Sequence, residues 1–161
     1  MTTAVFPGSF DPPTYGHLNI IERASKLFDS IDVVIAVNHE KHSLFTADER
    51  LHFIKAMTKN FANVTVHKWE GLVVNYAKEN GANILLRGIR NANDFSYEFD
   101  LSLMNHTLNA EIETLFIPTE QKYSIIKSSA IKELAMFGGD ISGMVPPEVA
   151  QEMRRKMAEK S

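Results

Sequence analysis

Val5-Phe6-Pro7-Gly8-Ser9-Phe10-Asp11-Pro12-Pro13-Thr14-Tyr15-Gly16-His17 decides how the rest of this chain is read. An apolar strand enters the stretch and stops at Pro7-Gly8. Thr14 has the character of a helix N-cap, with Gly16 and His17 in the first turn. A helix N-terminus presents unpaired N–H groups and the positive end of the peptide dipoles, so it suits a phosphate. Gly8 and Gly16 permit close backbone approach, and Ser9 and His17 add side-chain donors. As a bare pattern, a strand, a proline turn and a capped helix describe an ordinary connector. Ser9, Asp11, Thr14 and His17 together are more than a connector needs. Polar loops between packed elements are where sites sit.

Outward from this stretch, apolar strands alternate with amphipathic helices. The first strand is expected over about Thr3–Pro7, followed by a helix with Leu18, Ile21, Ala24 or Ser25, and Phe28 on one face. Ile31–Asn38 reads as a strand buried on both faces in a parallel sheet. Asn38–Ser43 is a polar loop, and Thr46-x-x-Glu49 is a capping box that opens the second helix. Val64–Lys68 is the third strand; Leu72–Asn80 is a helix stopped by Gly81. Ile84–Leu86 is the fourth strand, ending at Arg87. Asp94 is expected to cap the longest helix, Phe95 to about Leu108. Thr114–Ile117 is the fifth strand. The loop through Tyr123 runs into a helix from about Ser128 to Gly138-Gly139, and Pro146-Pro147 starts a last helix with a basic face. This alternation predicts one α/β domain over residues 1–161, a Rossmann-like doubly wound sheet of about five parallel strands with helices on both faces.

Composition narrows the function classes. The chain has 161 residues, 44% hydrophobic and 23% charged, enough for a substantial core. No apolar run approaches the roughly 20 residues of a membrane span, and no secretory signal is visible. There are no cysteines, which excludes disulfide and thiolate chemistry and suits the cytoplasm. A net charge of −3 argues against a nucleic-acid surface, so an anionic ligand requires a local basic cluster.

Such a cluster is expected where parallel sheets bind ligands, beyond the carboxyl ends of the strands. Ser9, Asp11 and His17 follow the first strand, Lys41 the second, Arg87 and Arg90 the fourth, and Tyr123–Ser129 the fifth. His17 falls near the third helical position. The dipole disfavours imidazolium there, so a neutral ring that donates one N–H is expected. Lys41 alone reads as a solvated charge in a flexible loop. His39 and His42 have metal-like spacing but no third ligand, and are read as solvated. Arg87 and Arg90 bracket Gly88; they form structural ion pairs or a double fork for phosphate. Asp94, Glu98 and Asp100 suit a helix beginning, and Leu101, Met104 and Asn105 form a stripe of ordinary core type. Ser128 and Ser129 read as caps, and a cap and a phosphate use the same N–H groups. His52, His67 and His106 are read as structural.

Pro7-Gly8-Ser9-Phe10-Asp11-Pro12 followed by Thr14-x-Gly16-His17 resembles the T/H-x-G-H signature of the nucleotidylyltransferase superfamily. Phe45-Thr46-x-x-Glu49-Arg50, Arg87-Gly88-x-Arg90, Asp94-Phe95-x-Tyr97-Glu98, Met104-Asn105 and Ser128-Ser129 with Lys132-Glu133 are similar to the bacterial phosphopantetheine adenylyltransferases over nearly the whole chain. The resemblance implies transfer of AMP from ATP to 4′-phosphopantetheine, giving dephospho-coenzyme A and pyrophosphate. It implies that His17, Lys41 and Arg90 are catalytic. It places ATP on Ser9, Phe10, His17, Gly88, Ile89, Arg90, Glu98, Tyr123, Ser124, Ile125, Ile126, Lys127, Ser128 and Ser129. It places the acceptor on Ser9, Lys41, Val73, Arg87, Leu101, Met104, Asn105 and Glu133. Ser9 stands where the family usually has Thr, and Lys127 where it often has Ser. The resemblance further implies Mg²⁺ held mainly by ATP oxygens, a homohexamer, and coenzyme A as a feedback ligand.

The nucleophile of that reaction, a phosphate monoester, is ionised near neutral pH, so no general base is required. The difficulty is repulsion between two anions, which calls for charge neutralisation and alignment in an in-line displacement. Two rivals remain at this stage. Another member of the superfamily, such as a nicotinamide mononucleotide adenylyltransferase or a cytidylyltransferase, differs in the acceptor pocket. A non-catalytic nucleotide-binding module binds ATP and releases no pyrophosphate.

Overall fold

A computed structural model describes residues 1–160. Five strands, β1 (Thr3–Gly8), β2 (Ser30–Val37), β3 (Val64–Glu70), β4 (Ile84–Ile89) and β5 (Glu113–Pro118), form one parallel sheet in the order β3-β2-β1-β4-β5. They alternate with α1 (Tyr15–Ser25), α2 (Ala47–Thr58), α3 (Val73–Glu79) and α4 (Ala92–Leu108). A 3₁₀ turn at Gln121–Tyr123, α5 (Ser128–Met136) and α6 (Pro147–Lys160) complete the chain. The doubly wound α/β architecture is therefore as expected. Most strands run one to three residues longer than their apolar runs, because the polar residues at their ends stay in the ladder. No helix among the described residues is long and apolar enough to cross a membrane.

Strand alternation divides the core. Ala4 and Phe6 of β1, Ile31, Val33 and Ile35 of β2, and Leu86 of β4 pack with α1 and α2 through Ile20, Ile21, Ala24 and Ile54. Val5, Val34 and Leu85 face the other way and pack with Val74, Tyr76 and Ala77 of α3. A third cluster joins Phe45 and Phe53 to Ile126, Ile131, Val149 and Met153, fastening α5 and α6 beside α2.

Two features of the fold place the site. Strand order reverses between β1 and β4, and the two share only the rungs Ala4–Ile84 and Val5–Leu85. By contrast β1 and β2 pair over six rungs. The carboxyl ends of β1 and β4 are thus not paired with each other, although each stays in the ladder with its outer neighbour, and a crevice opens between them at the switch point. Helix α4 is the second feature: of its 17 residues only Glu98 is buried. The Leu101–Met104 stripe is not core, as its spacing suggests, for Met104 is 62% exposed. Phe95 reaches the sheet at Phe116, with ring centroids 5.4 Å apart.

Candidate active site

The crevice is a cavity of about 460 Å³. Its walls come from the turn after β1, the loop after β2, the end of β4, the first turns of α4, and the segment from the 3₁₀ turn into α5.

The turn after β1 is tightly built. Phe10 adopts a positive φ of 50°, in the left-handed region that L side chains seldom occupy. Its ring lies edge-on to Phe6 at 5.5 Å and to His17 at 4.8 Å. Gly8 makes room for it, since a Cβ there would sit 3.1 Å from the Phe10 ring. The Asp11–Pro12 bond is cis.

His17 occupies the third position of α1 and closes a capping box of unusual composition. The Thr14 side chain accepts from the His17 amide, and His17 Nδ1 accepts from the Thr14 amide at 3.0 Å, the place a glutamate usually fills. Accepting at Nδ1 selects the tautomer with hydrogen on Nε2, so that nitrogen is the ring's donor. Burial, and then the charges of Arg90 and Arg87, lower its pKa from 6.5 to about 4. The neutral, donating ring expected from the helix terminus is what the site contains, with burial as the main cause.

Each arginine is held by an acid. Arg87 donates from Nε and Nη2 to the two oxygens of Glu98, at 2.6 and 2.7 Å, and from Nη1 to the carbonyl of Pro7 at 2.9 Å. It bridges the gap between β4 and β1. Arg90 donates from Nε and Nη2 to Asp94, at 2.8 and 3.1 Å, and from Nη1 to the carbonyl of Ile126 at 3.1 Å. Hydrogen bonds from Arg90 outweigh burial and hold the Asp94 carboxyl below its ordinary value. Asp94 is not the cap of α4: Asn91 is, its side chain accepting from the Asp94 amide, which frees the Asp94 carboxylate for Arg90.

The N-terminus of α5 forms the facing wall. No side chain caps it. Ser128 was expected to cap, but its hydroxyl donates to the carbonyl of Pro12 at 2.9 Å. The first N–H groups of α5 are left for an anion.

Of the residues expected at the site, Ser9, Phe10, His17, Lys41, Arg87, Gly88, Arg90, Glu98, Tyr123, Ile126, Lys127, Ser128 and Ser129 line this one cavity. Ile89, Ser124 and Ile125 lie outside its lining, as do Val73, Leu101, Met104, Asn105 and Glu133. Strand and helix periodicity turn some of these side chains away, and Ile125 is 79% exposed. Asp11 and Lys132 line the cavity as an ion pair at 3.2 Å that sequence reading did not assemble. Their separation of 121 residues leaves no local signal. His39 pairs with Glu70 at 3.1 Å, and His52 with Glu148 at 2.6 Å, both in exposed positions.

Comparison with known proteins agrees with this geometry. Residues 5–134 match the family model described as cytidylyltransferase-like. The chain is 48% identical over 160 residues to the phosphopantetheine adenylyltransferase of Clostridium botulinum strain 657, covering 99% of this chain and 98% of that protein. The protein of the same name from strain Eklund 17B is 46% identical over 156 residues, covering 97% of this chain and 98% of that one. The fold is shared with the Plasmodium falciparum nicotinic acid mononucleotide adenylyltransferase complexed with NaAD, at a TM-score of 0.68 and 17% identity, covering 96% and 95% of the two chains. Identity of this order along the full length leaves one assignment: the chain belongs to the cytidylyltransferase-like family and, within it, to the phosphopantetheine adenylyltransferases.

Proposed function

We propose that this chain transfers the adenylyl group of ATP to 4′-phosphopantetheine, giving dephospho-coenzyme A and pyrophosphate. The observation that carries the reading is the cavity itself. Two acid-anchored arginines, Lys41, Lys127, Lys132, a neutral histidine and an uncapped helix N-terminus converge on one crevice of an acidic protein. That set suits two anions that must meet.

In the proposed reaction an oxygen of the acceptor phosphate attacks the α-phosphorus in line. The new P–O bond forms as the bond to the bridging β-phosphate oxygen breaks, and pyrophosphate leaves with that electron pair. No covalent enzyme intermediate forms. Arg87 has N–H groups to spare beyond those on Glu98 and Pro7 and holds the acceptor phosphate. Lys41 bridges the two anions. His17 donates from Nε2 to the charge that develops on the equatorial oxygens. Ser9, Arg90, Ser129 and the α5 amides hold the triphosphate. Glu98 acts through Arg87, since both its oxygens are occupied. The pantetheine arm runs outward past Met104 and Asn105, with Val73, Leu101 and Glu133 in the same region.

Mg²⁺ enters the proposal as a counterion of the triphosphate. The cavity's carboxylates, Asp11, Asp94 and Glu98, are each engaged by Lys132, Arg90 and Arg87. They do not fit a protein-built metal site, and no step is assigned to the ion. In the proposed homohexamer, the exposed apolar side chains along α4, Tyr97, Phe99, Leu103 and Leu108, are candidates for cover by a second copy. Coenzyme A, which carries the same arm and an adenine nucleotide, fits the proposal as a feedback ligand. A cytoplasmic location suits a chain without cysteine.

The test is pyrophosphate release from ATP with a panel of acceptors. Release is expected with 4′-phosphopantetheine and not with nicotinamide or nicotinate mononucleotide. Release with a mononucleotide alone overturns the acceptor, and tight ATP binding without release overturns the enzyme.

A further inference from the structure

We infer that Asp11 is a positioning residue for Lys41, an inference that rests on the reading of the preceding section. Lys41 is exposed and lies in a segment, residues 38–43, with neither helix nor strand. Among the described residues its ammonium makes no hydrogen bond or ion pair; only its amide is engaged, with the carbonyl of Asn38 at 3.2 Å. A lysine on a loose segment is a poor bridge between two phosphates unless something sets where the segment ends. Asp11 does so. Its Oδ2 accepts the amide of Leu44 and its Oδ1 the amide of Phe45, both at 2.9 Å. These residues follow Ser43, and both Ser43 and Lys41 line the cavity.

The tie is well founded on the Asp11 side. The residue is 6% exposed and sits one position after Phe10, whose ring packs on His17. Arg50 of α2 donates to the carbonyl of Ser9 at 2.8 Å, holding the same turn from below. Lys132 of α5 meets Oδ2 at 3.2 Å. A single carboxylate therefore joins the His17 turn, the Lys41 segment and α5. Both oxygens face N–H donors, so no neutral isostere can replace it: an amide must turn its NH₂ toward one of them. Positional precision of this kind governs rate, since a displacement of about 1 Å at a reacting group can cost roughly 10²-fold.

The experiment is a double-mutant cycle on pyrophosphate release from ATP and 4′-phosphopantetheine, using Asp11→Asn, Lys41→Ala and the double variant. Asp11→Asn is expected to lower kcat by roughly 30-fold while KM for ATP moves less than about threefold. In the Lys41→Ala background the same change is expected to lower kcat by less than about threefold, because the residue it positions is gone. Equal losses in both backgrounds, or an unchanged kcat, overturn the inference; a merely structural Asp11 gives equal losses. Should Asp11→Asn fail to fold, Asp11→Glu keeps both acceptors, displaces them by one methylene, and goes through the same cycle under the same criterion. Failure of both to fold makes Asp11 structural and also overturns it. A wild-type chain that releases no pyrophosphate defeats instead the reading on which this rests.

Discussion

Arg87 enters the crevice with its guanidinium already matched to Glu98, two parallel hydrogen bonds of 2.6 and 2.7 Å in the bidentate geometry of a fork on a carboxylate. Glu98 is also the one buried residue of α4. Removing it leaves a largely buried guanidinium unpaired. Glu98→Ala should destabilise the fold by about 3 kcal/mol, measured by urea unfolding. It should also raise KM for 4′-phosphopantetheine roughly tenfold, about 1.4 kcal/mol, with KM for ATP little changed. A rise confined to ATP would instead put Glu98 in direct contact with the nucleotide.

His17 should divide binding from turnover. His17→Ala removes the Nε2 donor and one half of the α1 capping box. The expected loss in kcat is about 10²–10³-fold, typical of one donor to a developing oxyanion. ATP affinity, measured by calorimetry, should stay within about threefold, with a stability cost of about 1 kcal/mol from the lost cap. Collapse of ATP affinity with a surviving bound rate would make the residue a binding group only.

The pH response follows from the same ring. Its pKa in the fold is about 4, below the ordinary 6.5. Between those values the unfolded chain holds more protons than the folded one, so stability rises with pH there. The contribution is complete above pH 6.5 and is lost progressively as pH falls through about 4, amounting to about 3 kcal/mol. Nitrogen NMR of the ring should show hydrogen on Nε2 and no titration from pH 8 to pH 5. The acid limb of the rate profile should follow the acceptor phosphate, near its second pKa of about 6. Ring titration near 6.5 would contradict the burial argument.

Gly8 tests the packing behind the histidine. A Cβ at that position meets the Phe10 ring at 3.1 Å, and Phe10 is wedged against Phe6 and His17. Gly8→Ala should therefore shift His17, lowering kcat about tenfold, with about 1 kcal/mol of destabilisation from overpacking. Thermal unfolding and steady-state kinetics read the two effects; a wild-type rate would show that the Phe10 ring yields without moving His17.

The sheet, the order of its elements and the caps at Thr14 and Thr46 were legible in sequence, because each is set by near neighbours: strand alternation, a capping box, a turn glycine. What escaped was decided by partners distant in the chain. Asp94 looks like a cap and is a ligand of Arg90, because Asn91 caps first. Ser128 looks like a cap and bonds Pro12, 116 residues away. Glu98 is placed at the nucleotide by resemblance, and its pairing with Arg87 exists only once α4 packs beside β4. The pairing of Asp11 with Lys132 exists only once α5 folds over the first turn.

Helix α4 is moored to its own chain largely through two carboxylates, Glu98 on Arg87 and Asp94 on Arg90, and one aromatic contact rather than a seam of leucines. Because Glu98 holds Arg87 on two hydrogen bonds, a small rotation of that helix would carry the guanidinium at the crevice with it. Affinity for the acceptor phosphate should accordingly track the mechanical rigidity of α4. Stiffening or loosening its distant end becomes a way to tune that affinity without altering any residue of the cavity wall.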